Sequence, residues 1–177
     1  MDFTDSSNPV EIAFFDRGPL DEEELITAGY WSTYWYGGYI YATEIARGLD
    51  VFALEPSDYL SENEIAAASL QDANVTVNAQ TQERVNWPAV PVVARAYIDQ
   101  LQRSDAIDAQ QLQPLLRLLE QAEDLLDSSS SSDSGVSNDL GNFASSLQDQ
   151  SGDRSGLVRD RYISLASTLR GIADQLR

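Results

Sequence analysis

The chain has no cysteine, no histidine and no lysine among its 177 residues. Without cysteine there is no disulfide, no thiol nucleophile and no cysteine-type zinc or iron–sulfur site. Missing histidine removes the usual general base and the commonest metal ligand. Missing lysine excludes Schiff-base catalysis and a phosphate-loop lysine. Carboxylates, tyrosine, serine, threonine and arginine are what remain for chemistry. No run approaches the roughly 18 apolar residues that a bilayer span needs. Met1-Asp-Phe-Thr-Asp5 lacks the basic and apolar regions of a signal peptide. That predicts a cytoplasmic protein if Met1 is the true start, and predicts nothing for a truncated chain.

Positive charge is scarce as a whole. Eleven basic residues, all arginine, face 29 acidic ones, for a net charge of −18. Such a surface disfavours nucleic acid, whose affinity comes largely from neutralised phosphates. It equally disfavours docking on anionic lipid. Acidity without lysine reads as adaptation to concentrated salt, where screening confines carboxylate repulsion to about 3 Å at 1 M, with a marine bacterial source as the alternative. In dilute buffer the same charge strains the fold.

What is present in quantity is aromatic residues near the N-terminus. Residues 30–36 are rich in Trp, Tyr and Thr, which suit a half-buried pleated surface. Gly37-Gly38 then separates two aromatic runs, so Trp31–Tyr36 and Tyr39–Glu44 are expected to pair as an antiparallel hairpin. A turn at Ala46-Arg47-Gly48 leads to a third strand, Leu49–Leu54. Three strands at this spacing form a meander, the body of a propeller blade. Upstream, Met1-Asp2-Phe3 repeats the apolar–Asp–apolar pattern of Leu49-Asp50-Val51 at a distance of 48 positions. Pro9 opens a further expected strand, Val10–Phe15. A period in the forties suits blade repeats.

Three stretches carry a family resemblance: Gly38-Tyr39-Ile40-Tyr41-Ala42, Gly48-Leu49-Asp50-Val51-Phe52 and Asp5-Ser6-Ser7-Asn8-Pro9-Val10-Glu11-Ile12. Over residues 1–54 the chain resembles the C-terminal end of the LVIVD-repeat proteins, propeller-like proteins of archaea and bacteria. The resemblance implies that the intact protein is exported or displayed at the cell surface, with no assigned chemistry. It ends at Leu54, where Glu55-Pro56 replaces the next blade. A single blade cannot bury both faces. The chain therefore reads as a fragment whose earlier blades lie on a missing N-terminal part, or whose sheet is covered by another protein, its own helices or self-association.

Beyond residue 54 the pattern turns helical. Ser61 and Glu64 form a capping box ahead of Ile65–Leu70. Val75–Asn78 reads as an added edge strand, and Trp87-Pro88 as a break. The next helix places Val93, Tyr97 and Leu101 on one face. A third run steps through Leu112, Leu115, Leu119, Ala122 and Leu126, with Pro114 near its start. Ser128–Gly135 is a low-complexity tether. The last helix, Gly156–Gln175, has a near-heptad seam of Val158, Tyr162, Leu165, Leu169, Ile172 and Leu176. Leu140, Phe143 and Leu147 form a shorter partner stripe. The seam is expected to fold back on the Leu112–Leu126 helix, the alternative being a second copy. The expected fold class is α+β: an antiparallel meander in residues 1–54, a mixed connector with helices in 55–127, a Ser-rich linker in 128–137 and C-terminal helices in 138–177, the helices forming a small bundle.

No residue cluster reads as catalytic, and no metal or cofactor is expected. Asp16, Asp21, Glu22, Glu23 and Glu24 are dense in oxygen but match no calcium loop, and read as a solvated acidic loop. Trp31, Tyr34, Trp35 and Tyr36, with Glu44 and Arg47 at the following turn, are the candidate ligand or partner contacts. Packing between blades is the plainer reading of the aromatics, and a local ion pair or backbone-fixing role that of Glu44 and Arg47. The expectation is a non-enzymatic scaffold or interaction protein. The alternative is a carbohydrate-active or other carboxylate-based hydrolase working through Glu44 and Asp50.

Overall fold

A computed structural model describes residues 1–2, 6–70, 87–128 and 132–177. The expected strand at Val75–Asn78 lies outside them. The chain divides into two compact units, Met1–Glu83 and Arg84–Arg177. The fold class is α+β, a three-stranded antiparallel meander followed by helices.

In the first unit, β1 (Tyr30–Tyr36), β2 (Tyr39–Glu44) and β3 (Gly48–Phe52) lie in the order β1-β2-β3. The β1–β2 connection is Gly37-Gly38, both at positive φ (57° and 86°), as a two-residue hairpin turn requires. Tyr36 pairs with Tyr39 and Tyr34 with Tyr41, and on the other side Ala42 pairs with Asp50. β3 ends at Phe52, two residues before the expected Leu54. The expected strand Val10–Phe15 does not form. Val10 makes one antiparallel bridge, to Asp2, and residues 11–15 carry no strand pairing. They contribute side chains to the sheet instead of backbone hydrogen bonds. Helix α1 (Glu62–Ser69) starts on the expected capping box: Ser61 Oγ accepts the Glu64 amide at 3.1 Å, and Glu64 accepts the Ser61 amide at 2.7 Å.

The second unit holds α2 (Pro91–Arg103), α3 (Ala109–Asp127), α4 (Ser134–Gln150) and α5 (Gly156–Gln175). Pro91 opens α2 at its first turn, where no amide is required. Asp108 caps α3 by accepting the Gln110 amide at 2.8 Å. Pro114 cannot donate to the Gln110 carbonyl, but both residues are exposed and water can serve that carbonyl. α4 begins at Ser134, inside the 128–137 stretch read as linker, because Asp133 caps it. The Asp133 carboxylate accepts the Gly135 and Val136 amides at 2.7 and 3.1 Å.

One apolar core joins the four helices. Ile98, Leu101, Leu119, Leu140, Leu165, Leu169 and Ile172 are fully buried in it. On α2 the deep positions are Ala94, Ile98 and Leu101, whereas Tyr97 is only half-buried at its margin. The α5 seam from Tyr162 to Leu176 is buried within the chain, and Val158 packs at its edge. Its neighbours differ from the expected one. α5 packs against α4 and α2, while α3 packs against α2 and α4. The short 3-10 turn Ser151–Asp153 reverses the chain directly after α4, which makes α5 the antiparallel partner of α4. No described helix is long and apolar enough to cross a membrane.

Candidate functional site

The meander has two unlike faces. Directly paired residues of an antiparallel ladder point to the same side. The pairings therefore put Trp35, Ile40, Ala42, Glu44, Asp50 and Phe52 on one face. Tyr34, Tyr36, Tyr39, Tyr41, Leu49 and Val51 lie on the other.

Phe15, Arg17 and Tyr30 pack against the first face. Phe15 meets Phe52 with ring centroids 4.7 Å apart, and Tyr30 meets Phe52 edge-on at 5.8 Å. The Arg17 guanidinium lies 5.6 Å from the Phe15 ring centre and pairs with Asp50 at 2.6 Å. Asp50 also accepts the Tyr30 hydroxyl at 2.6 Å. A bulge makes that contact possible. The register shifts between Tyr30 and Ser32, so Tyr30 pairs with Glu44 and turns to the Asp50 side, while Ser32 pairs with Thr43. The Tyr30 hydroxyl, followed by Arg17, holds the Asp50 carboxyl below its ordinary range. Desolvation, then the Asp50 acceptor, pushes the Tyr30 phenol up.

Glu44 is the buried carboxylate among the described residues of this unit, 5% exposed. One oxygen accepts the Gly29 amide at 2.8 Å. The other accepts the amides of Ala46, at 2.8 Å, and Arg47. The Gly29 amide, followed by those of Arg47 and Ala46, lowers the carboxyl pKa, because hydrogen bonds to the ionised form favour it. The Arg47 side chain donates to the Pro19 carbonyl at 3.0 Å. Glu44 and Arg47 thus fix the β2–β3 turn and the loop that precedes β1.

Neither carboxylate of the hydrolase alternative is idle. Glu44 is engaged by three backbone amides and Asp50 by a guanidinium and a phenol. In the acidic loop, Asp16 accepts the Gly18 amide, and Asp21 accepts those of Glu23 and Glu24. The two amides lower the Asp21 pKa. Both aspartates shape turns. Among the described residues no three acidic groups gather as a metal site.

The opposite face is largely exposed, with Tyr41 half-buried and its ring 6.5 Å from that of Tyr36. Tyr34, Tyr36, Tyr39, Leu49 and Val51 are each about half exposed or more, and Trp31, at the bulge, is 76% exposed. The candidate contacts are therefore split. Tyr34 and Tyr36 share the bare face, Trp35 points to the covered one, and Glu44 and Arg47 belong to the turn. Arg17, Tyr30 and Gly29 were not legible as members of this cluster, since they reach it across loop closure and a one-residue bulge. Asp50 was marked only by the repeated apolar–Asp–apolar pattern.

No protein-family model, curated protein or solved structure matches the chain.

Proposed function

We propose that this chain is a non-enzymatic interaction scaffold, the C-terminal part of a propeller-like repeat protein that is exported or surface-associated in its full form. The observation that carries the reading is the asymmetry of the meander. A sheet with one face packed by its own chain and the other exposing Tyr34, Tyr39, Leu49 and Val51 gains from a neighbour that buries that face. An adjacent blade is such a neighbour. The isolated Asp2–Val10 bridge supports the same reading. Asp2 stands 48 positions before Asp50 of β3, a spacing that suits a blade repeat. The charge-saturating hydrogen bonds on Glu44 and Asp50 favour a structural over a catalytic role for both.

The coding sequence immediately upstream of residue 1 tests this proposal. In-frame blade repeats headed by an export signal are the expected result. A stop codon in that frame with no such repeats would remove its basis. So would turnover of a glycoside panel that disappears in Glu44→Gln.

A further inference from the structure

A groove of about 680 Å³ opens in the first unit between residues 11–15 and residues 52–57. Its walls include Phe14, Phe15, Phe52 and Tyr59, with the carboxylate residues Glu11 and Glu55 on opposite sides. Phe14 is 84% exposed and Tyr59 more than half exposed, so their rings are open to an incoming group. Neither Glu11 nor Glu55 has a hydrogen-bond or ion-pair partner among the described residues. The carboxylates of the covered face do: Glu44 and Asp50 are both saturated. The groove adjoins the end of β3, an outer strand of the sheet whose far edge pairs with no described residue.

We infer that this groove takes an extended, cationic segment of another protein, one that lies along the outer edge of β3, unpaired among the described residues, and places an arginine or lysine among the aromatic rings between Glu11 and Glu55. Three features select this occupant. Aromatic faces and unpaired carboxylates attract the same group, a cation. An unpaired strand edge supplies main-chain hydrogen bonds to an extended polypeptide, which a small amine cannot use. A second copy of this chain is a poorer match, because it carries 29 acidic residues against eleven arginines and a net charge of −18, so two copies repel as wholes. The inference does not depend on the propeller reading. A groove at the end of β3 would remain if the bare tyrosine face met something other than a blade.

Fluorescence anisotropy with a labelled octapeptide alternating arginine and valine, in moderate salt, tests it on the full chain. Saturable binding is expected, weakened about tenfold by Glu11→Gln with Glu55→Gln, equivalent to about 1.4 kcal/mol. Phe14→Ala should weaken it as well, and circular dichroism should show these exposed changes leave the fold intact. Glu22→Gln with Glu23→Gln removes the same charge from the acidic loop and should leave affinity unchanged. Equal weakening by both pairs would reduce the effect to bulk charge and overturn the inference. Equal binding of a glutamine–valine octapeptide would overturn the cationic assignment. Binding of acetyl-arginine amide as tightly as the octapeptide would overturn the strand-edge assignment. Absence of any binding would overturn the whole.

Discussion

Glu44 accepts the backbone amide of Gly29 across fifteen residues of chain, at 2.8 Å, while its second oxygen holds the Ala46 and Arg47 amides. One side chain thus ties the entry of β1 to the β2–β3 turn. The full set of three bonds, spread over both oxygens, favours the ionised carboxylate. Its folded pKa lies below the unfolded value, so its stabilisation is complete above the unfolded pKa and is lost as pH falls through the folded one. Glu44→Gln should lower the stability of the first unit at neutral pH and flatten its dependence on acid. Tyrosine and tryptophan fluorescence followed through an acid titration reads both. An unchanged acid profile in the variant would assign the pH dependence to other groups.

Asp50 makes the companion case. Its carboxyl is held low by the Tyr30 hydroxyl and Arg17, so its contribution also disappears toward acid pH. Tyr30→Phe removes the first donor and leaves the ring stack on Phe52 in place. Nuclear magnetic resonance titration of Asp50 should show its pKa moving up toward the ordinary carboxylate value. A pKa that stays where it was would mean Arg17 alone sets it.

In the helical unit, Gly171 approaches Ala89 so closely that a Cβ there would lie 2.4 Å from the Ala89 Cβ. Neither side chain has freedom to swing away. Gly171→Ala should therefore destabilise this unit by about 1–3 kcal/mol despite alanine's better helix propensity. Thermal unfolding followed by helical circular dichroism measures it. A rise in melting temperature would show that the loop before α2 yields at little cost.

Leu165 is fully buried in the seam of α5. Leu165→Asp puts a charge in that core and should cost several kcal/mol, on the order of 3–5. Since the seam packs on α4 and α2 of the same chain, the helical signal should collapse with no dimer-to-monomer change in light scattering. A dimer that this substitution dissociates would make the seam an association surface.

The charge of −18 supports a salt-adapted protein, and that proposal has its own readout. Screening relieves carboxylate repulsion, so the melting temperature should climb between dilute buffer and molar potassium chloride. A level or falling trend would count against it.

By itself the sequence determined the elements whose signals are local. Gly37-Gly38 between aromatic runs specified the hairpin, because only residues free to take positive φ fit a two-residue turn. Ser61 with Glu64 marked the start of α1, and the apolar step from Tyr162 to Leu176 marked the buried side of α5. Tertiary structure alone decided what these elements meet. The α5 seam has no feature that chooses α4 and α2 over α3; the short turn after α4 and the summed shape of the core make that choice. Val10–Phe15 has strand-forming residues, yet packing of Phe15 on Phe52 and of Arg17 on Asp50 holds this region against the sheet without strand pairing. The Tyr30–Asp50 contact depends on a bulge at one position, and a one-residue shift in register exchanges the faces of a strand. Composition does not encode such a shift, so the division of the aromatics into a covered face and a bare one emerged only when the chain closed on itself.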